Sequence, residues 1–197
     1  MAVDSERKSE IRVPDLVEPV VGWRVWLVVD RGGAVRLRSV VYPTLWEPRV
    51  ETVAECVHLK RHPPRSWRVG FSNHRAPSSR CDCGIYAARE LVDGVHYLRT
   101  SDRPGADVLG RVFGRVSLWG SVVESERGWR GSHAYPEHLY VPRGRTTNGR
   151  GTDDIALALT DYGVAVEILD CATREEVVHA LGGGPNGAES PEPPLAE

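Results

Sequence analysis

The chain has 197 residues, of which 41% are hydrophobic and 26% are charged, which is typical of one globular domain with or without a small appendage. The formal net charge at pH 7 is −2, which argues against a nucleic-acid binder that works by bulk electrostatic attraction. No apolar run approaches the roughly 20 residues that span a bilayer, which argues against a membrane protein.

Residues 1–20 are polar and contain prolines, and they predict a flexible N-terminal segment. Because the first ten residues lack the apolar core of a signal peptide, we expect a cytoplasmic protein. Persistent disulfides are rare in that compartment, so clustered cysteines there favour metal binding or redox chemistry.

The first regular element is a predicted β-hairpin. Residues 23–29 are rich in β-branched and aromatic side chains, residues 30–33 form a turn sequence, and residues 35–40 alternate apolar and polar positions. These patterns predict two strands with one buried face.

The next segment changes to a helical period. Two sets of apolar residues with helical spacing flank an Arg-, Pro- and Ser-rich loop at residues 61–80. The sets are Val50, Val53, Ala54 and Val57, and then Ile85, Ala88 and Val92. They predict a cysteine-rich helical insertion.

A second β section is predicted from residue 108. Residues 108–123 alternate in hydrophobicity, and residues 129–141 return as a partner strand. Three glycines in the first strand predict bulges or bends: Gly110, Gly114 and Gly120.

The C-terminal part is predicted to be a separate small unit. A linker at residues 143–152 precedes a helix–strand–helix unit at residues 153–181, and a disordered tail follows at residues 182–197. Asp153 or Asp154 would cap the first helix, and Thr173 with Glu176 forms a capping box for the second.

These elements predict an α+β fold. Its main part, residues 21–142, would be a β-rich domain with a bent antiparallel sheet that could close toward a barrel. The cysteine-rich helical insertion and the C-terminal helix–strand–helix unit would be added to this sheet.

The cysteines and histidines cluster in the predicted insertion. A structural zinc site needs four nitrogen or sulfur ligands, usually supplied as two pairs. Cys81 and Cys83 form one close pair, and Cys56 with His74 is the preferred second pair. His58 or His62 could replace a member of the second pair. The sequence therefore predicts a Zn²⁺ site.

Two alternatives to a zinc site stay open. Cys81 and Cys83 could form a redox pair, because a thiol just before a helix start is stabilised as the thiolate. Alternatively, the cysteines could be small buried hydrophobic residues and the histidines surface residues. Cys171 lies far from the cluster in sequence and is expected in the core or in a loop.

A second group of polar and aromatic residues surrounds the turn at Gly128. Its members are Glu124, Glu126, Trp129, Arg130, His133 and Tyr135. The group predicts a partner-binding surface. A small hydrolase-like enzyme that uses Glu124, Glu126 and His133 is an alternative, although no nucleophile elbow, phosphate loop or zinc-protease motif supports a named reaction.

Three strings in the chain resemble a group of small, uncharacterised proteins from high-GC bacteria. The strings are Cys81-Asp82-Cys83-Gly84-Ile85-Tyr86-Ala87, Leu118-Trp119-Gly120-Ser121-Val122-Val123-Glu124, and Gly128-Trp129-Arg130 followed by Ala134-Tyr135-Pro136. The resemblance covers roughly residues 22–140 and implies a shared domain. It implies no activity.

The leading functional hypothesis is a non-enzymatic binding or adaptor module with a zinc-stabilised loop region. Its partner would be an unidentified protein at the 124–135 turn. A nucleic-acid binder built on arginine and tryptophan is a less favoured alternative, since all basic residues but Lys8 and Lys60 are arginines and the chain has six tryptophans.

Overall fold

The computed structural model describes residues 10–12, 18–62, 66–71, 74–98, 105, 107–143, 149–171 and 173–182. Strands and short helices together confirm the α+β class. The strands are β1 (Glu10–Arg12), β2 (Val20–Arg31), β3 (Ala34–Ser39), β4 (Leu45–Trp46), β5 (Thr52–Val53), β6 (Val57–His62), β7 (Ser66–Phe71), β8 (Ile85–Ala88), β9 (Val108–Ser125), β10 (Gly128–Pro142) and β11 (Ala165–Leu169). The helices are α1 (Leu91–Gly94), α2 (Thr152–Leu159) and α3 (Arg174–Gly182), and 3-10 turns follow the first two at Val95–Leu98 and Thr160–Tyr162.

The described strands form one nine-stranded sheet and one separate hairpin. The main order is β1-β9-β10-β8-β2-β3-β4, with β5 and β11 paired to β10, while β6 and β7 pair with each other. Because β9 also pairs with β2, the strands β2, β9, β10 and β8 close a ring of hydrogen bonds. The sheet is therefore strongly bent, without being a clean barrel. It is also mixed, because β11 runs parallel to β10.

Two long hairpins form the centre of the sheet, as the sequence predicted. Strands β2 and β3 meet at Gly32 and Gly33, whose positive φ angles of 63° and 89° suit a tight hairpin turn. In the second hairpin, the β9–β10 register shifts between Gly131 and His133, opposite Gly120. The φ of Gly120 is +73°, so the bulge predicted there is confirmed.

The main core lies between the bent sheet and helix α2. Trp26 and Trp46 are fully buried, with ring centroids 5.5 Å apart in an edge-to-face arrangement. Ile155 and Leu159 of α2 are also buried in this cluster. A second cluster holds α1 and α3 against the sheet and includes Cys171, as expected for a core cysteine.

Tyr162 ties the C-terminal unit to this core. Its buried hydroxyl donates to the Trp46 carbonyl at 2.5 Å and accepts from the Leu37 amide at 2.8 Å. Burial raises the pKa of Tyr162 to about 12. Both hydrogen bonds fasten the turn after α2 to strands β3 and β4.

We expect Tyr162→Phe to lower the free energy of unfolding by about 1–3 kcal/mol, because it leaves a buried amide and a buried carbonyl without their partner. Chemical denaturation would measure the change. Tyr97→Phe is the matched control, since Tyr97 is 53% exposed, and it should be neutral. An equal loss in both variants would contradict this role of Tyr162.

The predicted helices of the insertion are wrong. Within residues 50–57 only β5 and the first residue of β6 are regular structure, and both are strand. Residues 85–88 form β8, so the first helix begins only at Leu91. Both segments pair with other strands, and in β8 Ile85 and Ala87 are buried while Tyr86 is exposed. Short strands separated by turns can reproduce a helical spacing by chance, and the spacing of the apolar residues therefore predicted helices where the chain forms strands.

The C-terminal unit follows the predicted order of helix, strand and helix. Its capping box is confirmed: the Thr173 amide donates to Glu176 Oε2 at 3.1 Å, and the Glu176 amide donates to Thr173 Oγ1 at 3.2 Å. The cap of α2 was predicted wrongly, because Gly151 precedes the helix and the two aspartates lie in its first turn.

Parts of several predicted segments lie outside the described residues. They are residues 1–9 and 13–17 of the N-terminal segment, residues 144–148 of the linker, and residues 183–197 of the tail. Within the N-terminal segment, β1 pairs with β9. The division into a β-rich domain, linker and C-terminal unit stays a prediction.

Candidate metal centre

Strand β10 positions the parts of the chain that carry the predicted ligands. Strand β8 pairs with β10 so that Ile85 lies opposite Gly131, and β5 pairs so that Val53 lies opposite His133. The Ala54 amide extends the second pairing by donating to the Ser132 carbonyl at 2.7 Å. The chain entering β8 and the chain leaving β5 therefore meet at residues 131–132.

All four predicted ligands converge at this point. Cys81 and Cys83 precede β8, Cys56 lies between β5 and β6, and His74 follows β7. One donor atom from each side chain lies within 4.8 Å of the other three. The predicted convergence of remote thiols and an imidazole is confirmed.

The distances suit a tetrahedral ion better than a disulfide. The sulfur atoms of Cys56 and Cys81 are 3.7 Å apart, and His74 Nε2 lies 3.3 Å from Cys83 Sγ. A tetrahedron with zinc–sulfur bonds of about 2.3 Å has sulfur–sulfur edges of about 3.8 Å. A disulfide bond is only about 2.05 Å long, and all four cysteines are free thiols.

The cluster is buried on one side and open on the other. Cys56 and Cys83 are buried with Ala76, Cys81 is half-buried, and His74 is exposed. Burial, followed by the hydrogen bond to Cys81, raises the pKa of Cys83 to about 12. Burial also acts to raise the pKa of Cys81, but hydrogen bonds from the Cys83 backbone and the Cys56 side chain outweigh it and lower that pKa.

Arg130 holds in place the loop before β8 that contains Cys81 and Cys83, here called the two-cysteine loop. Its side chain is buried, and its guanidinium donates to the carbonyls of Cys81, Cys83 and Ser78, at 2.7 Å for Cys83 and 3.4 Å for Ser78. The planar fork of an arginine suits several carbonyl acceptors at once. Arg130 thus links β10 directly to the backbone that carries two of the predicted ligands.

Gly84 permits the loop to approach this strand closely. Its φ is +120°, and an added Cβ would lie 2.9 Å from the Pro77 Cβ and 3.0 Å from the Arg130 Cβ. A side chain at residue 84 would therefore force the loop away from β10. This explains why glycine follows the second cysteine.

The donor set fits a structural metal ion. Thiolate and imidazole ligands favour zinc and related soft or borderline ions, whereas magnesium and calcium prefer oxygen. Four protein ligands would complete a tetrahedron. His58 and His62 are in β6, and the structure does not describe their side chains.

The residues of the second predicted group contact different neighbours. Glu124 pairs with Arg89 at 2.6 Å, and the Arg89 guanidinium lies 4.4 Å from the ring centre of Trp129. His133 Nδ1 lies 3.3 Å from Glu51 Oε2, and the Tyr135 hydroxyl donates to the Tyr162 carbonyl at 2.8 Å. Glu126 is exposed in the turn, whereas Arg130 is buried against the two-cysteine loop.

These contacts place Arg130 against the backbone at Cys81 and Cys83 and give Glu124 and His133 separate charged neighbours. Arg130 donates to the backbone at Cys81 and Cys83, a contact that no local sequence pattern could reveal. Of the three residues of the enzyme alternative, Glu124 pairs with Arg89, His133 lies beside Glu51, and Glu126 is exposed in the turn. A protein partner at this turn stays a prediction.

Among the described residues, no helix has the length and apolar character needed to cross a membrane. Comparison with protein-family models, curated proteins and solved structures found no match. The resemblance of the three sequence strings to proteins of high-GC bacteria therefore stays a prediction. Function must be inferred from the geometry of the centre itself.

Proposed function

We propose that the protein is a non-enzymatic binding module whose accessory hairpin is fastened by one structural Zn²⁺ ion. The observation that carries the proposal is the convergence of Cys56, His74, Cys81 and Cys83 within 4.8 Å. Because these four ligands would fill a tetrahedral shell, the ion would keep no open position for a substrate or a water nucleophile.

The position of the cluster indicates what the ion would stabilise. Cys56 precedes β6 and His74 follows β7, so an ion bound by both closes the base of the hairpin. Cys81 and Cys83 lead into β8 of the main sheet. One ion would thus join the hairpin to the sheet, and closing the loop would offset part of the entropy cost of ordering it.

Arg130 supports this arrangement electrostatically. Three thiolates and one neutral imidazole around Zn²⁺ leave one negative charge on the centre. The Arg130 guanidinium donates to the carbonyl groups of both Cys81 and Cys83 and so brings a positive charge to the same loop. Groups of this kind around a metal site orient its ligands and raise its affinity.

We expect protein purified under reducing conditions to carry one zinc ion per chain and Cys81→Ser to lose it. Native mass spectrometry with elemental analysis measures the stoichiometry. Cys171→Ser is the matched control, because Cys171 is a buried cysteine of the second core cluster. It should retain the zinc.

The same mass measurement separates the metal centre from a thiol redox pair. Bound zinc adds the mass of one ion, whereas a disulfide between Cys81 and Cys83 removes two hydrogen atoms. Wild-type protein that contains no zinc, or zinc retained equally by Cys81→Ser and Cys171→Ser, would overturn the proposal.

A further inference from the structure

The segment enclosed by the ligands has a strongly biased charge. Residues 57–80 contain no Asp or Glu, so all 27 acidic residues of the chain lie outside this segment. Its basic residues are Lys60, Arg61, Arg65, Arg68, Arg75 and Arg80. The net charge of −2 for the whole chain therefore conceals a local basic region.

The register of the β6–β7 hairpin sorts its residues into two faces. Directly paired residues share a face and successive pairs alternate, so the Lys60–Arg68 pair defines one face. His58, His62, Ser66 and Gly70 share that face. The opposite face combines four apolar residues with one Arg–Trp pair: Val57, Leu59, Val69, Phe71, Arg61 and Trp67.

Strand pairing separates the hairpin from the main sheet in the described part of the chain. Among the described strands, β6 and β7 pair with each other and with no strand of the main sheet. Arg75 and Arg80, which lie beside the ligands at its base, are exposed. Two exposed carboxylates lie just outside residues 57–80: Glu55 before the segment and Asp82 after it.

We infer that the β6–β7 hairpin is a nucleic-acid-binding arm whose basic face contacts the phosphodiester backbone through Lys60 and Arg68. The inference rests on the proposed function, because the metal ion would fix the base of the arm. A two-stranded β-ribbon fits the major groove of duplex DNA, and phosphate contacts supply most of the affinity of such complexes. The repeating negative charge of a nucleic acid complements a segment that has six basic residues and no acidic ones.

Salt-dependent binding provides the test. The probes are a fluorescein-labelled DNA duplex of about 20 base pairs, one of its strands alone, and an RNA strand of the same sequence. Wild type is compared with Lys60→Gln/Arg68→Gln and with the charge-matched control Arg31→Gln/Arg127→Gln. Both control residues are exposed: Arg31 ends β2, and Arg127 lies in the turn between β9 and β10.

We expect the hairpin variant to bind the preferred probe about 50-fold more weakly than wild type at 0.1 M salt. Each lost phosphate contact removes about 0.9 from the slope of log K against log salt, so the slope should fall by about 2. The control should keep the affinity and slope of wild type. Lys60→Arg/Arg68→Lys, which conserves the charges, should also bind normally.

Preference for the duplex would indicate groove binding, and preference for a single strand would indicate base stacking. Either result supports the inference that the hairpin binds nucleic acid. The inference is overturned if wild type binds none of the probes, or if the hairpin and control variants lose affinity equally. Zinc is counted in every variant. If wild-type protein carries zinc but binds no nucleic acid, only this inference is refuted. If zinc-free wild-type protein binds nucleic acid and the hairpin variant does not, only the metal proposal is refuted.

Discussion

Removing the proposed Zn²⁺ ion should lower the free energy of unfolding by about 4 kcal/mol when the comparison is made at a free zinc concentration 1,000 times the dissociation constant. The reason is linkage: an ion that binds the folded chain and not the unfolded chain stabilises the fold in proportion to its saturation. For a chain of this size, that loss corresponds to a fall of roughly 8–16 °C in the melting temperature. Thermal denaturation with and without a zinc chelator measures it.

The loss should be local before it is global. An isolated two-stranded hairpin is marginally stable in water, and among the described strands β6 and β7 pair only with each other. Hydrogen exchange of the metal-free protein should therefore show protection lost in β6 and β7 but retained in the central strands β2 and β9. Their pairing and their fully buried residues, such as Trp26 and Val116, do not involve the cluster.

The double variant Cys81→Ser/Cys83→Ser provides the control for the chelator. Its melting temperature should be close to that of the metal-free wild type and should not respond to added zinc. Equal melting temperatures and equal exchange protection in wild-type protein with and without chelator would contradict a structural role for the ion.

The ligand set could be predicted from sequence because it depends on residue chemistry more than on secondary structure. Sulfur and imidazole donors are uncommon, so their clustering between Cys56 and Cys83 was informative even though the elements around them were misassigned. The segments that form β5, the start of β6 and β8 were predicted as helical, yet the four predicted ligands lie in the connections between elements. Assigning the wrong secondary structure to these segments therefore did not change which residues were predicted to cluster.

The supporting interactions could not be predicted because they depend on register between distant segments. Arg130 contacts residues about fifty positions away in sequence, and the contact requires the pairing of Gly131 with Ile85. Likewise, the parallel pairing of β11 with β10 depends on the path of the connection between them, which contains α2. The C-terminal capping box, by contrast, involves residues three apart and was found directly from the sequence.

The net charge of a chain averages over segments of different charge. A net charge of −2 argued against nucleic-acid binding, but that argument assumes that the charges are mixed over the surface. The strands β6 and β7 show instead that Lys60 and Arg68 are direct partners in a segment without carboxylates. The relevant quantity is the charge of a structural element, which requires knowing where that element begins and ends.

Arg130→Ala should lower the free energy of unfolding by about 3 kcal/mol and weaken zinc binding by about 10–100-fold. The stability loss follows because a charged hydrogen-bond donor is worth about 1.5–3 kcal/mol and the carbonyls of Ser78, Cys81 and Cys83 all lose theirs. The affinity loss follows because groups that orient metal ligands typically contribute this much to binding. Chemical denaturation and competition with a zinc chelator measure the two effects separately.

Arg130→Lys should have an intermediate effect on both measurements, since a lysine keeps the charge but lacks the planar fork that reaches several carbonyls. Arg89→Ala is the control, at the residue that follows the neighbouring strand β8. Its ion pair with Glu124 is partly exposed, so it should lose less than about 1 kcal/mol and keep its zinc affinity. If Arg130→Ala were destabilised but bound zinc as tightly as wild type, the guanidinium would be a packing element of the sheet. Because Arg130 bonds the backbone of the ligand loop and not the ligand atoms, a coupled loss of stability and affinity would show that strand β10 positions the thiolates through this side chain.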